Sequence, residues 1–146
     1  KLKLSLAAAM IAVASLSACG GGGDDTPTPV VYSPAALSKT DISIGTGAEA
    51  VTGKTVKVHY TGWLYNTTFA NFKGTQFDSS IGKAPYTFTM GANQVISGFE
   101  QGVIGMRVGG KRTVVIPSAL GYGASGNAAV PRNSGLVFDL ELVEVL

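Results

Sequence analysis

The chain has little of the chemistry on which most enzymes depend. Its 146 residues include one cysteine, one histidine and one tryptophan. A lone cysteine cannot form a disulfide within the chain, and one Cys with one His falls short of a zinc ligand set. No GxSxG, HExxH, Walker or CxxC motif is present, and the acidic residues are scattered. These shortages argue against nucleophilic, metal-dependent and glycosidase chemistry. We therefore expect the protein to use no metal and no cofactor.

Charged residues are also scarce, at 14% of the chain. Lys plus Arg number 11 and Asp plus Glu number 9, for a formal net charge of +2. Two of the basic residues, Lys1 and Lys3, belong to the N-terminal segment, and without them the chain is near neutral. Such a balance gives no reason to expect a nucleic-acid partner. Hydrophobic residues make up 45%, which is enough for a core, and the 20 glycines favour tight turns over long helices.

Residues 1–18 have the pattern of a secretory signal peptide. Lys1 and Lys3 precede an apolar run from Leu4 to Leu16. The run has the length of a signal-peptide core and is shorter than the ~20 residues that cross a bilayer as a helix. We therefore predict that residues 1–18 are removed on export.

The end of this segment, Leu16-Ser17-Ala18-Cys19, resembles the lipobox of bacterial lipoproteins. The resemblance implies cleavage before Cys19 and acylation of its thiol, which would anchor the protein in a membrane. The alternative is an ordinary signal peptide with an incidental cysteine. We expect a lipid-anchored protein of the bacterial cell envelope that faces the periplasm. Gly20 stands where an Asp would resemble an inner-membrane sorting signal, which favours the outer membrane.

Residues 19–38 are predicted to be a flexible linker. Gly20 to Gly23 gives flexibility, and Thr26-Pro27-Thr28-Pro29 favours an extended chain. Neither stretch can bury an apolar face. The folded domain is expected over residues 39–146.

The periodicity of residues 39–146 is mostly that of strands. Polar and apolar residues alternate over 41–44, 55–60, 86–90 and 136–145, a further strand is predicted over 111–116, where Pro117 stops it, and a weaker strand signal covers 74–79. One amphipathic helix is predicted over Ser97–Met106, with Ser97 and Glu100 as a capping box. Several antiparallel strands and one short helix around a single core predict an α+β fold.

An apolar and aromatic set of side chains is the candidate for a pocket between sheet and helix. Its members are Tyr60, Phe77, Tyr86, Phe88, Val95, Ile96, Phe99, Tyr122 and Phe138. For most of them, taken singly, ordinary core is the favoured interpretation. Tyr122 lies between glycines in a loop, where packing alone explains it less well. His59 is interpreted as a structural or surface residue.

Six stretches together resemble FKBP-type peptidyl-prolyl cis-trans isomerases. They are VHYTG at 58–62, FDSS at 77–80, VISGFEQG at 95–102, MRVGGKR at 106–112, GYG at 121–123 and LVFDLEL at 136–142. They stand in the family's order and at close to its spacing. The resemblance implies a five- or six-stranded antiparallel sheet wrapped around one short helix, with a hydrophobic pocket for the proline ring between them.

The resemblance also implies which residues work in that pocket. The catalytic positions it matches are Tyr60, Asp78, Phe99, Tyr122 and Phe138. The substrate-binding positions it matches are Phe77, Tyr86, Phe88, Val95, Ile96 and Val130. The Ile96 N–H and the Tyr122 hydroxyl match groups that hydrogen-bond ligand carbonyls.

The function implied is acceleration of X–Pro bond rotation, in aid of the folding of exported proteins. The expected partners are proline-containing polypeptides, the family's macrolide inhibitors and a membrane reached through the lipid anchor, and the chain is expected to be a monomer. One alternative is a non-catalytic periplasmic peptide-binding chaperone module. Another is an interaction protein whose loop at 66–73, longer than in the smallest family members, docks a partner.

Overall fold

Every predicted strand is present, although the first spans residues 38–43 instead of 41–44 and the second continues to Tyr65 instead of ending at Tyr60. The computed structural model describes residues 30–146, so the predicted signal peptide and Cys19 lie outside the described residues. The elements are β1 (Ser38–Ser43), β2 (Thr55–Tyr65), β3 (Lys73–Ser79), β4 (Tyr86–Thr89), α1 (Ser97–Val103), β5 (Lys111–Ile116) and β6 (Leu136–Val145), with one 3-10 turn at Ser118–Leu120. Among residues 30–146, no helix is long and apolar enough to cross a membrane.

All the strands described over residues 30–146 join one antiparallel sheet of six strands. The order is β1-β5-β6-β2-β3, and β4 also pairs with β2. On one edge β2 pairs with β6 along its length. On the other edge its first part, Thr55–Val58, pairs with β4, and its last part, from Thr61, pairs with β3. The sheet therefore divides beside Tyr60, between β3 and β4. The predicted α+β architecture is confirmed.

The core lies between the concave face of the sheet and α1. Alternate residues of β2, Val56 and Val58, are fully buried there, as are Leu140 and Leu142 of β6. Burial of side chains of this size stabilises the fold by about 1.5–3 kcal/mol each. The helix sits close on β5 because Gly102 faces Val114, where a Cβ atom would come within 2.7 Å of a Val114 methyl.

The helix is shorter than predicted and its N-terminus is capped differently. It ends at Val103, and Gly105 follows with φ of +86°, a conformation that favours glycine. The N-cap residue is Ile96, and no side chain caps the helix. Glu100 instead accepts a hydrogen bond from Gly91 N–H at 3.0 Å, so the predicted capping box does not form.

The compact unit begins at Val31, earlier than the predicted start at residue 39. Gly135 N–H donates to the Tyr32 carbonyl at 2.7 Å, and Ser118 N–H donates to Ser33 Oγ at 2.9 Å. The last residues of the predicted linker 19–38 therefore belong to the folded unit, because their backbone and hydroxyl groups satisfy donors of the β5–β6 connection.

Candidate active site

A cavity of about 470 Å³ opens between the sheet and α1. Its walls come from β2, β3, β4 and β6, from the start of α1 with the turn before it, and from the loop after the 3-10 turn. The lining residues are Tyr60, Phe77, Asp78, Tyr86, Asn93, Gln94, Val95, Ile96, Phe99, Tyr122 and Phe138.

Its position follows from the division of the sheet at Tyr60. The Tyr60 ring of β2 and the Phe138 ring of the neighbouring β6 both line the cavity there, in edge contact at a centroid distance of 6.1 Å. Between them Gly62 has no side chain, and a Cβ there would lie 2.7 Å from the Phe138 ring and 2.8 Å from the Phe77 ring. A glycine at 62 thus lets both phenylalanines reach the cavity.

The floor of the cavity is Phe99, which is only 4% exposed. Its ring makes edge contacts with Phe138, Tyr60 and Phe88, at centroid distances of 5.2, 5.6 and 5.7 Å. Such pairs contribute about 0.5–1.5 kcal/mol each beyond the area they bury. The rings also fix one another's rotamers, so the cavity is formed before any ligand binds.

One polar pair is built into this wall. The Tyr60 hydroxyl donates to Asp78 Oδ2 at 2.7 Å, and Asp78 Oδ1 accepts from Ser79 N–H at 2.8 Å. Burial, and next the hydrogen bond to Asp78, raise the pKa of Tyr60 well above its ordinary value. The phenol therefore stays a neutral donor, and Asp78 serves as its acceptor.

Two further polar groups face the cavity from its other side. The Tyr122 ring lines the wall, and burial raises the pKa of its hydroxyl, which keeps the proton it can donate. Ile96 precedes the helix, and its N–H has no acceptor within residues 30–146. Both groups can therefore donate to the carbonyls of a bound peptide.

Most of the predicted site residues meet in this cavity. The nine that line it are Tyr60, Phe77, Asp78, Tyr86, Val95, Ile96, Phe99, Tyr122 and Phe138.

Two predicted substrate-binding residues do not line the cavity. Phe88 is 2% exposed and lies behind Tyr86 and Phe99, with ring centroids 5.9 and 5.7 Å away. Val130 is 1% exposed and belongs to the core. Both are apolar enough to be drawn inside, which places them behind the wall rather than on it. Neither residue lines the cavity in this structure, and their contact with substrate stays a prediction.

Two lining residues were missed because they are polar turn residues. Asn93 has φ of +57°, and Gln94 Oε1 accepts from Thr89 N–H at 2.7 Å. An Asn in a Gly-Ala-Asn turn is a signal for left-handed backbone, and that turn is the link between β4 and α1. His59 lies outside the cavity lining and places Nδ1 3.0 Å from Ser80 Oγ.

Comparison with known proteins agrees with this geometry. A profile for the FKBP-type peptidyl-prolyl cis-trans isomerase matches residues 47–143. The FK506-binding protein of Neisseria meningitidis serogroup B is 48% identical over 107 residues, which cover 72% of this chain and 92% of the relative.

Solved structures give the same result. The crystal structure of AtFKBP13 is 38% identical, with a TM-score of 0.66 over 78% of this chain and 96% of that one. The crystal structure of FkpA from Escherichia coli is 36% identical, with a TM-score of 0.64 over 75% of this chain and 47% of that one. The profile covers well over half of the chain, and so the protein belongs to the family of FKBP-type peptidyl-prolyl cis-trans isomerases.

Proposed function

We propose that this isomerase turns X–Pro bonds inside the cavity over Phe99 and that it serves exported polypeptides at the bacterial cell envelope. Members of its family bind proline-containing peptides and macrolides. The observation that carries the proposal is the set of interlocked rings around Phe99, which makes a preformed slot of apolar walls for a proline ring.

The chemistry needs no nucleophile. Resonance in the X–Pro amide gives a rotation barrier of ~18–20 kcal/mol. Charge separation is largest in the planar amide, which water stabilises, and it is smaller in the twisted one. Walls made by Tyr60, Phe99 and Phe138 replace that water around the bound amide. A thousand-fold acceleration needs only ~4 kcal/mol of preference for the twisted form.

Hydrogen bonds then hold the peptide near the twisted geometry. The Ile96 N–H and the Tyr122 hydroxyl would orient the carbonyls that flank the proline. Asp78 is exposed and hydrogen-bonded to Tyr60, so its role is to position the Tyr60 ring and to receive polar groups of the peptide. Tyr86, Val95 and Phe77 complete the apolar walls.

The proposed location rests on residues 1–20. The apolar run and Leu16-Ser17-Ala18-Cys19 support cleavage before Cys19 and acylation of its thiol, and Gly20 supports the outer membrane. The protein would then face the periplasm as an anchored monomer with newly exported chains as substrates. Mass spectrometry of the mature protein tests this: acyl groups on the N-terminal cysteine support it, and an unmodified N-terminus or retention in the soluble fraction contradicts it.

The proposed isomerase activity is tested with a variant of the cavity floor, and a variant of the core serves as its control. Phe99→Ala removes the floor, and Leu142→Ala opens a comparable hole in the core outside the cavity lining. Each should lower the free energy of unfolding by about 2–5 kcal/mol. In a proline-peptide isomerisation assay at equal folded concentration, Phe99→Ala should lose most of its kcat/KM while Leu142→Ala keeps it.

Two other results would contradict the proposed function. Equal kcat/KM in the two variants would move the reaction away from Phe99. A wild-type chain that binds proline peptides without accelerating their isomerisation would favour the non-catalytic chaperone module.

A further inference from the structure

The connection between β2 and β3 lies at the end of the sheet where the folded unit receives the N-terminal segment. This connection, residues 66–72, is named here the 66–72 loop. Tyr65, the last residue of β2, donates its N–H to the Gly135 carbonyl at 2.8 Å, and Gly135 N–H donates to the Tyr32 carbonyl at 2.7 Å. Two backbone hydrogen bonds through Gly135 thus connect Tyr65, where the loop begins, to Tyr32, which follows Val31, the first residue of the folded unit.

The 66–72 loop exposes two aromatic rings at that end. Phe69 is 50% exposed and Phe72 is 41% exposed. Phe72 keeps its position although its φ of +61° is unfavourable for a bulky residue, and its ring stacks on Tyr65 at 5.2 Å. Asn66 N–H donates to the Phe72 carbonyl at 2.9 Å, which closes the loop on itself. The loop reads Asn-Thr-Thr-Phe-Ala-Asn-Phe and has no charged residue.

We propose that the 66–72 loop contacts the bilayer surface, with Phe69 and Phe72 in the zone between headgroups and acyl chains. The proposal rests on the lipid anchor proposed at Cys19. Twelve residues lead from Cys19 to Val31, so the entry point lies no farther than about 40 Å from the anchored thiol. A linker rich in glycine has a mean reach nearer 20 Å, comparable to the size of the domain itself.

The composition of the loop suits this occupant better than a protein partner. Phe side chains insert at the boundary between headgroups and acyl chains in proteins that bind the membrane surface, and the loop has no carboxylate that anionic headgroups would repel. The anchor would bring the entry end of the domain toward the lipid, and the 66–72 loop lies at that end. A second anchoring point of this kind would fix the orientation of the domain on the membrane, which a single attachment point cannot do.

The test imposes the anchor chemically, so that it does not depend on natural acylation. Residues 20–146 carry a hexahistidine in place of Cys19 and bind phosphatidylcholine vesicles doped with a nickel-chelating lipid. The natural Trp63 is replaced by Phe, and an indole is introduced by Phe69→Trp. The matched control is Ile44→Trp, because Ile44 is 76% exposed and follows β1 at the opposite end of the sheet. Isomerase activity in solution shows that each variant is folded.

On vesicles that contain brominated phosphatidylcholine, the indole of Phe69→Trp should shift to the blue and lose emission, and that of Ile44→Trp should do neither. Equal quenching at both sites, or none at Phe69→Trp, overturns the loop contact. A blue shift of Phe69→Trp that rises with protein concentration without vesicles also overturns it, since a second copy would then cover the loop. Loss of acylation in the natural protein would contradict the anchor at Cys19 and leave these optical results unchanged.

Discussion

Tyr60 has two roles in the cavity, one for its ring and one for its hydroxyl, and the sequence pattern does not distinguish them. Its ring is a wall of the cavity, in edge contact with Phe99 at 5.6 Å, and its hydroxyl is fixed on Asp78 at 2.7 Å. The alternation of β2 predicts that either His59 or Tyr60 points inward, and in the structure it is Tyr60, on the same face as the buried Val56 and Val58. The resemblance implies Asp78 as a catalytic position, but the sequence does not predict its hydrogen bond to Tyr60, because Asp78 lies on another strand.

The raised pKa of Tyr60 makes the stability of the fold depend on alkaline pH. In the unfolded chain the phenol ionises near its ordinary pKa of 10.0, whereas burial and Asp78 keep it protonated in the folded chain above that value. The folded state then binds more protons than the unfolded one, so the free energy of unfolding is fully maintained below about pH 10 and falls above it. We expect Tyr60→Phe to show a smaller fall, measured by urea unfolding between about pH 9 and 11.

Tyr122 ionises late for a similar reason, since burial also raises its pKa, so some of the fall should remain in Tyr60→Phe. The double variant Tyr60→Phe with Tyr122→Phe should flatten it further. The same alkaline slope in wild type and in Tyr60→Phe would mean that the Tyr60 phenol ionises alike in both states, against the geometry of the pair.

At the scale of elements, strands are the features that the sequence predicts best. Both β5 and β6 have their predicted bounds, because two-residue alternation reports directly which face is buried. The helix end was placed three residues late, since Met106 is apolar and buried in a turn beyond α1. The feature that the sequence predicts least well is whether an apolar side chain lines the cavity or lies buried in the core. Phe88 and Val130 are as apolar as the wall residues, and only the tertiary packing places them behind the wall.

The close approach of α1 to β5 gives a prediction for the helix. A methyl group added at Gly102 would lie 2.7 Å from Val114, which is fully buried. The crowding should cost about 1–3 kcal/mol, more than the gain of up to ~1 kcal/mol from the helix propensity of alanine. We expect Gly102→Ala to lower the free energy of unfolding and, by tilting Phe99, to lower kcat/KM.

A double-mutant cycle identifies the cause. Val114→Ala makes room for the new methyl group, so Gly102→Ala with Val114→Ala should be more stable than the sum of the single effects implies. Additive effects in chemical denaturation would show that crowding against Val114 is not responsible.

Arg112 links three elements at the other end of α1. It is 9% exposed, its Nη1 donates to the carbonyls of Gly102 and Ile104 at 2.9 and 3.0 Å, and its Nε donates to Asp41 at 2.6 Å. The helix carbonyls depend on this guanidinium, whereas the Asp41 side chain is 44% exposed and can be solvated. Arg112→Lys should therefore cost about 1.5–3 kcal/mol of stability and Asp41→Asn about 1 kcal/mol or less.

The exposed ion pair between Lys57 and Glu144, at 3.2 Å, is the control, because exposed ion pairs contribute little to the free energy of unfolding. Lys57→Met should change the unfolding free energy by no more than about 0.5 kcal/mol. If Asp41→Asn proved as damaging as Arg112→Lys, the ion pair rather than the helix carbonyls would be what Arg112 contributes.

For the whole molecule, the cavity and the core are one structure. The walls come from β2, β3, β4, β6, α1 with the turn before it, and a loop, and most of these are far apart in sequence, so unfolding any of them removes the cavity. A ligand that binds this cavity must therefore stabilise the entire folded unit. FK506, the macrolide for which the Neisseria relative is named, is the probe that tests this prediction.

The expected size of this stabilisation follows from mass action. FK506 at a hundred times its Kd should raise the unfolding free energy by about 2.7 kcal/mol, or the melting temperature by roughly 10 °C. Phe99→Ala should lose this shift, and Leu142→Ala should keep it despite comparable destabilisation, because only Phe99 lines the cavity. An equal shift in both variants would place the ligand elsewhere on the molecule. A shift in wild type that Phe99→Ala abolishes would show that the ligand binds in the ring-lined cavity and stabilises the whole folded unit from that site.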